Sequence, residues 1–106
     1  MKLPSKVYAI QHLITKKTYV GRSSEPENRY LAHLYALRRG AHPVEDLQAD
    51  FNKYGEHLAF TILDDIQKYD EREKEFQWME TLRTYDRRYG YNYKDHSAGR
   101  FKSATN

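Results

Sequence analysis

Lys6-Val7-Tyr8-Ala9-Ile10 and Lys17-Thr18-Tyr19-Val20-Gly21-Arg22 decide how this chain folds. Both stretches alternate polar and apolar residues and are rich in strand-forming side chains, the pattern of half-buried β-strands. The linker around Thr15, Lys16 and Lys17 is short, so the two strands form an antiparallel hairpin. Tyr8 and Tyr19 then lie in adjacent strands, and a register that brings them to one face sets two phenols side by side. Core tyrosines are common, so the pair alone also fits simple packing.

After the hairpin, Ser24-Glu25-Pro26-Glu27 reads as a helix start. Ser24 can cap, Glu27 three residues later completes a capping box, and Pro26 is tolerated in a first turn. The helix runs to about Arg39, with Tyr30, Leu31, Leu34 and Leu37 as its apolar stripe, and Gly40 ends it. Pro43 opens a second helix in which Val44, Leu47, Phe51 and Tyr54 recur at helical spacing, closed by Gly55. Leu58 to Leu63 is rich in strand formers and supplies a third strand. Asp70 with Glu73 is another capping box, followed by a helix to about Tyr85 or Arg87. Gly90 to Tyr93 forms a turn or short extended piece. The order β-β-α-α-β-α makes a small α/β domain, a three-stranded antiparallel sheet flanked by helices. Residues 1–94 form the domain, and the polar, aperiodic 95–106 form a tail or linker stub.

The 106 residues suit one compact core. Ten tyrosines give many phenolic hydroxyls that need a partner or a function. The absence of cysteine excludes disulfides, thiolate zinc sites and cysteine nucleophiles. No apolar run approaches a membrane span and no secretory leader is visible, so the expectation is a cytoplasmic protein with no membrane partner. A net charge of +3 and an isoelectric point near 9.1 suit a polyanionic partner, and equally suit plain solubility.

Some residues break the amphipathic pattern. Glu75 has Trp78, Met79 and Leu82 at i+3, i+4 and i+7, so its carboxylate lies beside the buried stripe, where an unpaired charge is costly. It pairs either with an arginine or with a hard metal ion. Arg29 and His33, four apart on the first helix, project from one face as a phosphate-gripping fork and a group able to move protons near neutral pH. A solvated helix face accounts for them equally well. His42, just before the second helix, can meet an anion near a positive helix terminus or be an ordinary loop histidine.

Taken in order, these residues resemble the GIY-YIG nucleases, and most closely the catalytic domains of phage intron-encoded homing endonucleases. The first signature strand corresponds to Lys6-Val7-Tyr8, with Lys6 and Val7 where the signature has glycine and isoleucine, and the second to Tyr19-Val20-Gly21. Arg29, His33 and His42 follow. Leu47 to Gly55 (LQADFNKYG) resembles the LQ…FNK.G stretch of the phage enzymes. Glu71 to Trp78 fits the helix carrying the metal-binding glutamate, and Gly90-Tyr91-Asn92 the GYN near the end.

The resemblance implies a metal-dependent endodeoxyribonuclease that hydrolyses DNA phosphodiesters by a tyrosine-activated water. Its site would comprise Tyr8, Tyr19, Arg29, His33, His42, Glu75 and Asn92, with Glu75 holding one Mg²⁺ or Mn²⁺. Tyr8 would activate the water, Tyr19 would orient water or phosphate, Arg29 would meet the developing charge, and Asn92 would brace the site. DNA is the implied partner. A homo-oligomer or a separate DNA-targeting domain would supply specificity. The host cytoplasm is the implied location for a phage-encoded enzyme. The competing reading is a non-catalytic or regulatory DNA-binding module on the same scaffold.

Overall fold

In the computed structural model, residues 4–66, 71–95 and 100–102 are described. The chain runs β1 (Lys6–His12), β2 (Thr18–Ser23), α1 (Pro26–Arg38), α2 (Glu45–Tyr54), β3 (Leu58–Asp65) and α3 (Glu71–Leu82), then two short strands, β4 (Tyr93–Asp95) and β5 (Arg100–Lys102). The main sheet has the order β2-β1-β3, with both pairings antiparallel. The three-stranded β-β-α-α-β-α arrangement is the one the sequence indicates.

The hairpin turn between β1 and β2 is closed by a side chain. His12 Nδ1 accepts from the backbone N–H groups of Ile14 (3.2 Å) and Thr15 (3.4 Å). Lys16 N donates to His12 O at 2.8 Å, with Lys16 itself at φ 67°. The resulting register sets Tyr8 opposite Gly21 and Ile10 opposite Tyr19. Paired residues share a face, so Tyr8 and Tyr19 sit diagonally on the same side of the sheet. On the other flank Val7 pairs with Asp64 and Tyr8 with Ile62, which leaves Leu63 as an extra residue in β3, a bulge beside Tyr8.

The strand alternation divides the core into two. Tyr8, Ile10 and Tyr19 pack with Leu37, Val44, Leu47 and Tyr91 on the side of α1 and α2. Val7 and Val20 pack with Ile66 and Met79 on the other side, with Phe76, Trp78 and Leu82 of α3 against them.

The helices differ from the sequence expectation in three places. The Ser24–Glu27 capping box does not form. β2 runs on to Ser23, Glu25 takes the cap position without a side-chain cap bond, and the Ser23 hydroxyl accepts from Glu25 N at 3.0 Å. Leu31 is not in the apolar stripe of α1, being 61% exposed, whereas His33, Leu34 and Leu37 are buried. At about 100° per residue Leu31 lies far around the helix from Leu37 and Tyr30, and an uncharged imidazole fills the inward place instead. Finally, α3 stops at Leu82, short of Tyr85. Arg83 adopts φ 54°, and Thr84 N and Arg83 N turn back to Met79 O and Glu80 O. The early stop lets the chain double back. Gly90 crosses the Thr84 backbone so closely that a Cβ there would lie 2.1 Å from Thr84 Cα. Gly40, by contrast, ends α1 as expected, at φ 72° with Gly40 N on Leu37 O and Ala41 N on Ala36 O. The expected cap Asp70 lies outside the described residues.

The segment after the crossing seals the free side of β2. Thr18 N donates to Tyr89 O, Tyr91 N donates to Thr18 O, and the Asn92 side-chain amide pairs with both backbone groups of Val20 at 2.8 and 2.9 Å. The Tyr91 hydroxyl donates to Asp50 at 2.7 Å and lies 2.9 Å from Thr15 Oγ1, tying the segment to α2 and the hairpin turn. β4 pairs with β5 in an antiparallel ribbon, Tyr93 opposite Lys102 and Asp95 opposite Arg100. Strands of three residues are too short for alternation to reveal them. Among the described residues no helix is long and apolar enough to cross a membrane.

Candidate active site

Tyr8 comes from the central strand, and its fully buried ring lies across Gly21 of β2. A Cβ at Gly21 would meet the Tyr8 hydroxyl oxygen at 2.5 Å and Cζ at 2.6 Å, so glycine is the residue that lets the phenol lie flat there. An alanine would displace a rigid buried ring together with the bonds it makes.

Those bonds form a chain. The Tyr8 hydroxyl is 2.8 Å from His33 Nε2, and His33 Nδ1 is 2.7 Å from His42 Nε2. The far end is fixed, because Val44 N–H can only donate and does so to His42 Nδ1 at 3.0 Å. Burial pushes His33 down to about 3, assisted by His42 and Arg29, and pushes His42 down to about 4. Both rings are therefore neutral, and the tautomers follow in sequence. His42 carries its proton on Nε2 and donates to His33 Nδ1. His33 then carries its proton on Nε2 and donates to the Tyr8 oxygen. The loop bearing His42 is clamped by Gln48, whose side chain accepts from His42 N and donates to Leu37 O, each at 3.0 Å.

Tyr19 completes the cluster, its ring centroid 6.4 Å from Tyr8 and 5.3 Å from His33. Arg29, Ala32, His33 and Ala36 along α1, with His42 and Pro43, line an open cleft of about 250 Å³. Among the described residues no hydrogen bond or ion pair holds the Arg29 guanidinium. Burial raises the Tyr8 phenol well above its ordinary range, and the nearby Tyr19 and Glu75 add to this, whereas Arg29 opposes it.

Glu75 reaches the cluster from α3, on the opposite side of the sheet, and its charge is felt at Tyr8. It is only 3% exposed. One carboxylate oxygen accepts from Arg22 Nε at 3.3 Å, and the other, Oε2, is buried with no hydrogen-bond partner. Burial raises the Glu75 carboxyl, with Arg22 and Arg72 pulling the other way. Both readings of Glu75 drawn from the sequence thus meet here, since an arginine occupies one oxygen and the second is free. Among the described residues no three His, Cys, Asp or Glu side chains converge as a metal-binding group. A single free carboxylate oxygen suits a small hard cation that keeps most of its waters.

The structure therefore brings Tyr8, Tyr19, His33 and His42 into contact, sets Arg29 on the rim of their cleft, and places Glu75 within electrostatic reach. Asn92 stands apart, spent on the Val20 backbone. Arg22 and Gln48 escape sequence reasoning. Arg22 follows Gly21 and faces α3 by strand alternation, a signal that needed a fold to interpret.

The two buried imidazoles make stability acid-sensitive. Their folded values of about 3 and 4 lie below the unfolded 6.5, so the unfolded chain binds more protons between those limits. The stabilisation is complete above about pH 6.5 and is lost as pH falls through about 4 for His42 and about 3 for His33. Glu75, raised by burial, offsets part of this. Unfolding free energies from urea titrations should fall between pH 7 and pH 5, and a flat profile would contradict the neutral pair.

No protein-family profile matches the chain. Intron-associated endonuclease 1 of Enterobacteria phage T4 is 32% identical over 100 residues, covering 92% of this chain and 40% of that protein. The chain thus spans about two-fifths of the curated relative it matches. The solved catalytic domain of homing endonuclease I-TevI superposes with a TM-score of 0.77 at 32% identity, covering 86% of this chain and 99% of that one. A glutamate-to-alanine mutant of the same catalytic domain gives 0.76, also at 32% identity, covering 85% and 93%. With the fold, the order of its elements and nearly the whole length of that catalytic domain shared, the chain belongs to the GIY-YIG homing endonuclease family.

Proposed function

We propose that this chain is the catalytic unit of a divalent-metal-dependent DNA endonuclease of homing type. The supporting observation is the polarised chain from Val44 through His42 and His33 to the Tyr8 oxygen, set beside a free guanidinium and a half-free buried carboxylate.

Hydrolysis joins a water oxygen to phosphorus, breaks the bond to the 3′ oxygen, and moves one water proton to a base. Tyr8 is that base. Its phenol is hard to ionise in this buried setting, and three features counter that. Arg29 favours the phenolate by charge, the His33 N–H donates to the same oxygen, and neutralising Glu75 removes an opposing charge. Arg29 also supplies donors to the charge that builds on the phosphorus oxygens. Tyr19 lines the pocket where water and phosphate are oriented. Asn92 acts at a distance, by holding β2 in place. Mg²⁺ or Mn²⁺ held on Glu75 would polarise a phosphate oxygen and neutralise the leaving 3′ oxygen.

Sequence targeting falls to a segment outside this chain or to self-association. Cleavage would take place wherever the DNA lies, which is the host cytoplasm for a phage-encoded enzyme.

The direct test is supercoiled plasmid incubated with the protein and Mg²⁺, with and without EDTA, followed by mapping of the cut ends. Nicked or linear product bearing 3′ hydroxyls, abolished by EDTA, is expected. Binding with no metal-dependent product would instead identify a DNA-binding module on this scaffold.

A further inference from the structure

The outer edge of α1 carries a feature that the catalytic chemistry leaves unused. Tyr35 is 64% exposed, unusual for a large aromatic ring, and the Arg39 guanidinium stands over it, 4.9 Å from the ring centroid. At about 100° per residue, passing around α1 from buried His33, the cleft-lining Arg29, Ala36 and Ala32 come first, and Arg39, Asn28 and Tyr35 next. The Tyr35–Arg39 pair therefore lies on the exposed side of α1, next around the helix from the residues that line the cleft.

The charges on this helix are unequally satisfied. Arg38 is held by Glu56 through two bonds of 2.7 and 2.8 Å. Arg29 and Arg39 have no carboxylate partner among the described residues. They lie ten positions apart, a rise of about 15 Å along the helix. A DNA strand presents one phosphate per ~3.4 Å of axis, so a backbone lying along α1 offers a phosphate to each. Stacking on Tyr35 limits the swing of the Arg39 side chain and leaves its donors facing out, which lowers the entropy lost on contact.

The geometry points to Tyr35 and Arg39 as a second phosphate-backbone contact, which holds the strand along α1 while Arg29 meets the scissile group. It deepens the nuclease reading by naming where the substrate lies beyond the cleft. Arg39 is a binding residue here and takes no part in bond cleavage.

The experiment is the binding of a short duplex by fluorescence anisotropy in EDTA, where no cut occurs, across ~50 to 200 mM salt. Losing one phosphate contact should make the slope of log affinity against log salt shallower by about 0.9. Arg39→Gln should show that change, together with a raised KM and a kcat within about twofold in plasmid nicking. Arg38→Gln removes the same formal charge from the next residue, already neutralised by Glu56, and should leave the slope unaltered. Tyr35→Leu should cost a few-fold in affinity at unchanged slope, because the charge remains while its support is lost. An unchanged slope in Arg39→Gln, an equal change in Arg38→Gln, or no binding by the wild type would each overturn the assignment. Absence of Mg²⁺-dependent cleavage by a wild type that binds would sink the catalytic reading alone, since the slopes are read without metal.

Discussion

Replacing Glu75 with glutamine is expected to reduce metal-dependent plasmid cleavage by on the order of a thousandfold or more while leaving the fold standing. The expectation follows from the free Oε2. It is the one buried carboxylate oxygen among the described residues with no hydrogen-bond partner, and a metal bound there would stabilise the transition state by several kcal/mol, each ~1.4 kcal/mol being tenfold in rate. Glutamine keeps a carbonyl oxygen for Arg22 Nε, so the contact that locates the α3 side chain survives without its charge. Arg22 retains some access to water, its side chain being 22% exposed, which limits the cost of losing its counter-ion. Nicking rates and thermal melting on the same samples separate the two effects. A folded Glu75→Gln protein that still cuts would remove the metal role.

Tyr8→Phe deletes one oxygen and should lower the rate by about 10²- to 10⁴-fold, the usual contribution of a positioned base. Because the phenol sits well above its ordinary range, wild-type rate should climb with pH as more phenolate forms, without reaching a plateau near neutrality. The phenylalanine variant should lose that climb. It should also be less stable, because the His33 N–H would point at a ring carbon, and an unsatisfied buried donor costs about 1–3 kcal/mol. A variant that cut at the wild-type rate across pH would exclude Tyr8 as the base, whatever its stability.

Much of this scaffold can be read from residue order. The hairpin, the helix-ending glycines and the third strand have local causes, and the structure places them close to where those causes act. Leu31 shows where local reading stops. A leucine at near-helical spacing reads as core and a histidine reads as functional, yet His33 is the residue that packs inward, because a neutral, doubly bonded imidazole buries at little cost. The stop of α3 at Leu82 is invisible for a related reason. Nothing in Arg83 announces a left-handed turn, and it is the crossing of Gly90 over Thr84, eight residues downstream of Leu82, that requires one. At the site, Arg29 and His33 are legible as helix neighbours. The Arg22–Glu75 contact joins residues 53 apart and becomes visible only once β2 and α3 are packed.

The tie between Asn92 and Val20 bears on how this protein meets copies of itself. A bare strand edge invites a neighbouring molecule to add a strand, and repeated addition at two edges gives fibres. Here the side-chain amide, with Tyr89 and Tyr91, already occupies the outward backbone groups of Thr18 and Val20, the first half of β2. Within the three-stranded sheet the outer side of β3 is the remaining edge among the described residues, so strand addition to that sheet consumes one edge per molecule and ends at two copies. The Tyr89–Asn92 segment thereby limits growth through that sheet.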